Sequence, residues 1–294
     1  MNHVTRAQAL AAFGATVLAA GCARPGSQIA VGSKNFAEEE LLGEIYAQAL
    51  EAHGLAVKRV FDLGGTQIAM AALGRGEIDM YPEYTGTALL VQLKEKPLHD
   101  ARAIYDRVKT AYAKDYDLVW LTPAPMNDTQ ALATTAAIAA RYHLRTLSDL
   151  AKAAPLLRLG AVPEFVSRPD GLPGLQAAYG GFHFKETRLI DIGLKYAALM
   201  SGDVDVVVAF GTDAEIDIDH LVVFIDDKHV WPVYQAAPVV RRATLDAHPV
   251  IATALDAIAP HLTDTVMRHL NGEMTGSAKR DTAAVAKDFL ASIG

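Results

Sequence analysis

Leu41, Leu42, Ile45, Ala49 and Leu50 recur at helical spacing and predict a helix over residues 38–53. Glu38, Glu39 and Glu40 open that helix, where its dipole favours negative charge. Short apolar runs at 29–32 and 55–61 predict buried strands on either side. Gly64-Gly65 then turns the chain into a helix over 67–73. A strand over 78–81, helices over 85–93 and 101–116 and a strand over 118–121 follow. Alternating β and α segments predict an α/β fold with mainly parallel sheet.

Pro123-Ala124-Pro125 breaks this rhythm. A second β/α series starts at 130–134 and continues through predicted strands at 157–162, 184–190 and 204–210. Trp231-Pro232 breaks it again, before a strand over 234–240 and a helical block from Thr244 onward. A terminal block with no new strands should pack back on the first series. Two crossings, near 123–128 and 231–234, predict two lobes with a cleft and a double hinge. Residues 28–127 and 234–294 would form lobe 1, and 128–233 lobe 2.

Residues 72–80 return in altered form as 198–206, at an offset of 126. Each copy is a helix end, a Gly turn (Gly76 or Gly202), an acidic pair and a buried strand. At the same offset Tyr84 faces Phe210 in the alignment. Open α/β sheets bind ligands beyond the carboxyl ends of their strands. Two lobes each offering an aromatic ring there suggest one ligand clamped between rings. Gly-acid turns between helix and strand are common, so a chance match is the competing reading.

At 294 residues, with 51% hydrophobic and 21% charged positions, the chain has room for two lobes and a sizeable core. A net charge of −7 and the lack of a long basic run argue against a nucleic-acid or anionic-membrane surface. Residues 1–21, with Arg6 ahead of a small-apolar run from Ala9 to Ala20, fit a secretory signal. The single cysteine, Cys22, closes that segment in a setting similar to a lipoprotein acylation site. Residues 22–27 would then be a lipid-anchored linker on the outer face of the cytoplasmic membrane. Ordinary signal cleavage is the alternative. The ten histidines show no metal-ligand spacing and no phosphate loop is present, so no metal or cofactor is expected.

Several segments go beyond generic α/β patterning. Gly32-Ser33-Lys34-Asn35-Phe36 leads into Glu39-Glu40-Leu41-Leu42, and Tyr81-Pro82-Glu83-Tyr84-Thr85-Gly86-Thr87 follows. Asn127-Asp128-Thr129, Gly211-Thr212-Asp213 and Ala236-Ala237-Pro238-Val239-Val240 come later, in order. Together they resemble the substrate-binding proteins of osmoprotectant ABC importers, which capture glycine betaine, choline and related quaternary amines. The resemblance implies a type II periplasmic-binding-protein fold, a monomer, and permease and ATPase subunits as partners.

A trimethylammonium group has no N–H to donate, so aromatic faces are its natural grip, at about 0.5–2 kcal/mol per good contact. The resemblance places Tyr84 and Tyr234 in an aromatic box, with Asp128 bordering it. Lys34, Thr87 and Arg168 would hold the ligand's tail, with Glu164 as the charged companion of Arg168. Phe210 stands where the family has a second-lobe tyrosine, and Gln130 where it commonly has another. On sequence grounds alone, Gln130→Tyr should restore a wall and tighten binding. Gln130 also keeps open a different cargo, such as an ergothioneine-like betaine. A cleft enzyme using Asp128 and Glu164 as an acid–base pair is the remaining rival, and it lacks a nucleophile, metal set or cofactor loop.

Overall fold

Ten strands divide between two five-stranded sheets in the computed structural model, which describes residues 28–294. Residues 1–27, read from the sequence as a secretory signal, Cys22 and a linker, lie outside the described residues. The first sheet contains β1 (Ile29–Gly32), β2 (Val57–Val60), β3 (Met80–Tyr84) and β4 (Leu118–Trp120). The second contains β5 (Gln130–Thr134), β6 (Arg158–Ala161), β7 (Glu186–Leu189), β8 (Val206–Phe210) and β9 (Val222–Val223). The last strand, β10 (Ala236–Arg241), returns to the first sheet, giving the orders β2-β1-β3-β10-β4 and β7-β6-β8-β5-β9. The fold is thus α/β and two-lobed.

The sheets are mixed, where patterning suggested mainly parallel ones. β10 runs antiparallel to β3 and β4, and β5 antiparallel to β8 and β9. β5 and β10 are the strands that follow the two crossings, and each enters its sheet against the direction of its neighbours. An apolar run carries no strand direction, so the sequence pattern could not reveal this. β7 is exposed throughout and forms an edge. The segment predicted as a helix over 85–93 begins as a helical turn at Thr85–Thr87 and widens into a π-helix at Ala88–Gln92.

The helix Ala37–Ala52 buries Leu41, Leu42 and Ile45 completely. The C-terminal helix Thr282–Ile293 lies against it through Val285, Ala286 and Phe289, so the terminal block does pack on the first lobe. Two of the acids that open Ala37–Ala52, Glu38 and Glu39, are buried rather than solvated.

The internal repeat is a structural equivalence. Asp79 Oδ2 accepts a hydrogen bond from the Ala30 N–H of β1 at 2.9 Å. Asp205 Oδ2 accepts one from the Arg158 N–H of β6 at 2.8 Å. Gly76 and Gly202 take φ of 72° and 78°, left-handed values that favour glycine. Tyr84 and Phe210 then end β3 and β8, the corresponding strands of the two sheets.

Candidate functional site

Strand pairing brings the aromatic residues to one place. β10 pairs with β3 so that Ala236 faces Tyr84, which carries Tyr234 of the second crossing beside it. β5 pairs with β8 so that Gln130 faces Phe210. All nine residues singled out from the sequence line one cleft of about 390 Å³. Phe36 lines it too, its ring stacked on Tyr84 with centroids 6.3 Å apart. Phe36 belongs to the Gly32-Ser33-Lys34-Asn35-Phe36 motif, but nothing in the sequence pattern marks it as a cleft residue.

The Asn127-Asp128-Thr129 and Gly211-Thr212-Asp213 motifs hold these rings in place. Asn127 Oδ1 accepts the Tyr234 N–H at 2.8 Å, and the Asp128 N–H donates to the Tyr234 carbonyl at 3.0 Å, tying the two crossings together. Asp213 accepts the Phe210 N–H at 2.8 Å and pairs with Lys195 at 2.6 Å. Lys195 Nζ lies 4.2 Å from the Phe210 centroid, so one face of that ring already carries a cation. Gly86 lies under Tyr234: a Cβ there would come within 2.7–2.9 Å of three atoms of its ring. Gly86→Ala is therefore expected to push Tyr234 aside and weaken ligand binding by about tenfold, the loss of roughly one aromatic wall. A titration showing unchanged affinity would mean that Tyr234 does not contact the ligand.

Two carboxylates sit beside the rings. Glu38 accepts from the Tyr84 hydroxyl and from Asn271 Nδ2, both at 2.7 Å. Asp128 Oδ1 accepts from the Thr212 hydroxyl at 2.7 Å. Burial raises the pKa of both. The charges of Glu38 and Asp213 raise that of Asp128 further. Neither acid has a protein cation within ion-pair distance among the described residues. A quaternary ammonium against Asp128 would supply the missing charge.

The basic end differs from the sequence expectation. Lys34 is buried, and its Nζ lies 2.6 Å from Glu83 and 3.4 Å from Glu39. Its ammonium is committed to the wall rather than free for a ligand tail. Arg168 pairs with Asp170, through Nε at 2.8 Å and Nη2 at 2.5 Å, and not with Glu164. Thr87, from the first lobe, accepts from Arg168 Nη2 at 3.4 Å. Glu164 instead points across the cleft, where its Oε1 would lie 2.7 Å from a Cβ on Gly65, the N-cap of the helix Thr66–Arg75. Gln130 is buried and donates from Nε2 to Asp170 at 2.9 Å. A tyrosine there would break that bond and leave the buried Asp170 short of a donor, so Gln130→Tyr is expected to weaken binding, reversing the sequence expectation.

Glu39 has a consequence for stability. Burial, offset in part by Lys34, holds its pKa up at about 8. Between the usual 4.5 and about 8 the folded chain keeps a proton that the unfolded chain has released. Stability is therefore expected to fall as pH rises through that window. Glu39→Gln keeps the neutral shape and should flatten the dependence, raising the melting temperature at pH 8 relative to wild type. Melting curves at pH 5 and 8 that shift in parallel for both proteins would contradict this.

Among the described residues no group of three His, Cys, Asp or Glu is arranged to hold a metal ion. No helix there is long and apolar enough to cross a membrane.

Residues 27–292 match the family model described as the substrate binding domain of ABC-type glycine betaine transport systems. A glycine-betaine-binding protein of Pseudomonas aeruginosa is 37% identical, over 99% of this chain and 94% of its own. The ergothioneine transport permease/ergothioneine binding protein of Helicobacter pylori is 36% identical over 90% of this chain, which spans only 48% of that relative's length. A crystal structure of a glycine betaine/carnitine/choline ABC transporter protein superposes with a TM-score of 0.73 at 30% identity, covering 90% of this chain and 98% of the other.

Proposed function

The chain belongs to the family of substrate-binding domains of ABC-type glycine betaine transport systems, and on that premise we propose that its cleft captures a quaternary ammonium solute such as glycine betaine or choline. One observation carries the reading: Tyr84, Phe210 and Tyr234, from two lobes and a crossing, line one cleft beside the buried carboxylate of Asp128. Rings supply cation–π faces and the acid supplies charge, which is what a cation without N–H groups needs. The protein works outside the cytoplasmic membrane as a monomer, anchored by lipid on Cys22. It hands its cargo to permease and ATPase subunits and leaves it chemically unchanged.

Lobe 2, residues 128–233, closes on lobe 1 when ligand binds, and the closed form is what the permease recognises. Scattering with saturating ligand should show compaction, and an unchanged radius would count against the clamp. A second reading is a betaine carrying a polar ring, as in the relative named for ergothioneine. Gln130 favours it, as an amide where a wall of the box is expected. A thermal-shift panel of glycine betaine, choline, carnitine and ergothioneine separates the two. Stabilisation by one or more of the first three supports the main reading, and stabilisation by ergothioneine alone supports the second. No shift with any of them would defeat both.

A further inference from the structure

Arg168 meets the cleft as half of an ion pair. Its Nε and Nη2 donate to the two oxygens of Asp170 at 2.8 and 2.5 Å, the bidentate geometry that binds guanidinium to carboxylate most firmly. The Asp170 side chain is 1% exposed, so this charge is set inside the wall. Asp170 Oδ2 also accepts from the Tyr234 hydroxyl at 2.7 Å and from Gln130 Nε2 at 2.9 Å. Its carbonyl accepts from Trp231 Nε1 at 2.8 Å. One residue therefore fixes three cleft side chains that reach it from β5, from the loop after Ser167 and from the second crossing. The turn that allows this depends on Gly171, where a Cβ would lie 2.0 Å from the Phe165 carbonyl.

The charges at this end of the cleft cancel. Arg168 is balanced by Asp170 and Lys34 by Glu83, while Glu39 stays protonated up to about pH 8. Asp128, Glu164 and Asp191 also line the cleft, and among the described residues no further cation does. A carboxylate entering here gives up its water for the N–H surface of a neutral pair and meets acidic neighbours. A hydroxyl or amide oxygen uses the same N–H surface and costs far less to desolvate.

We propose that Asp170 is the residue that sets the tail specificity of the cleft: by neutralising Arg168 it turns a carboxylate receptor into a hydrogen-bond donor for uncharged acceptors. The preferred ligand is then a quaternary amine whose tail is a hydroxyl, amide or similar neutral group. This rests on the quaternary-amine reading given above. It goes beyond it by assigning a specificity role to a residue that the sequence did not single out.

Glycine betaine and betaine amide test it, because they share the trimethylammonium head and nearly the same shape and differ in tail charge. Choline serves as a third ligand. By calorimetry, wild type should bind the amide at least as tightly as the carboxylate. Asp170→Asn frees the Arg168 charge and should move the affinity ratio toward glycine betaine by roughly tenfold or more. Asp170→Glu, which keeps the charge, should leave the ratio near that of wild type. A merely structural role would lower all affinities together and leave the ratio unmoved, which would overturn the proposal. Should the asparagine variant not fold, wild type decides: a preference for glycine betaine over its amide of more than about tenfold overturns it. Failure of all three ligands to bind wild type would instead sink the quaternary-amine reading, and this inference with it.

Discussion

Tyr84→Ala is expected to weaken binding of choline or glycine betaine by about thirtyfold, since a desolvated cation–π wall is worth around 2 kcal/mol. The ring is buried, stacks on Phe36 and closes the β3 side of the cleft. Its hydroxyl donates to Glu38 at 2.7 Å, so the variant also removes one of that acid's hydrogen-bond donors. Tyr84→Phe separates the two contributions. It keeps the π face and loses only the hydroxyl, so most of the affinity should survive. Equal losses in the two variants would place the effect on Glu38 and not on the ring.

The second large effect concerns Arg168→Ala. The substitution leaves Asp170 buried with its guanidinium partner gone, and breaking a buried pair this way costs roughly 3–5 kcal/mol. Burial alone would raise the pKa of Asp170, but the hydrogen bonds and charge of Arg168, with help from Tyr234 and Gln130, hold it below the usual value. Without Arg168 the acid should titrate higher. Above that raised value its bare charge would repel a carboxylate tail. Glycine betaine is thus expected to lose far more affinity than choline in this variant, by about tenfold or more. Calorimetry at neutral pH with both ligands, alongside a denaturation curve, measures the two effects separately. Equal loss for both ligands would remove Arg168 from the tail site.

Much of this architecture is legible in the chain because it is written in local pattern. The β/α alternation, the breaks at Pro123 and Trp231 and the paired turns at Gly76 and Gly202 all depend on near neighbours in sequence. The nine residues drawn from motif resemblance converge on one cleft: six lie at strand ends, just past them or in a crossing, and Thr87, Glu164 and Arg168 lie in the turns and short helices that follow β3 and β6. What stayed hidden is the partnership between side chains. Lys34 looked free until the fold placed Glu83 and Glu39 against it, and Glu39 looked like an ordinary helix-start acid. Arg168 looked paired with Glu164, four residues away, but the chain turns at Gly171 and presents Asp170 instead. Glu38 reaches Asn271, 233 positions later, through packing of the terminal helices on the first lobe. Strand direction was hidden too, since β5 and β10 owe theirs to the crossings.

On the proposed function, a quaternary ammonium group is held between the rings of both lobes. A crystal structure of the protein with choline or glycine betaine bound measures this directly. The ligand nitrogen should lie within about 6 Å of the Tyr84 and Tyr234 centroids and of the free face of Phe210, the reach of a cation–π contact. Asp128 should be the nearest carboxylate. A ligand nitrogen placed outside this cleft, or turned away from the rings toward solvent, would contradict the account.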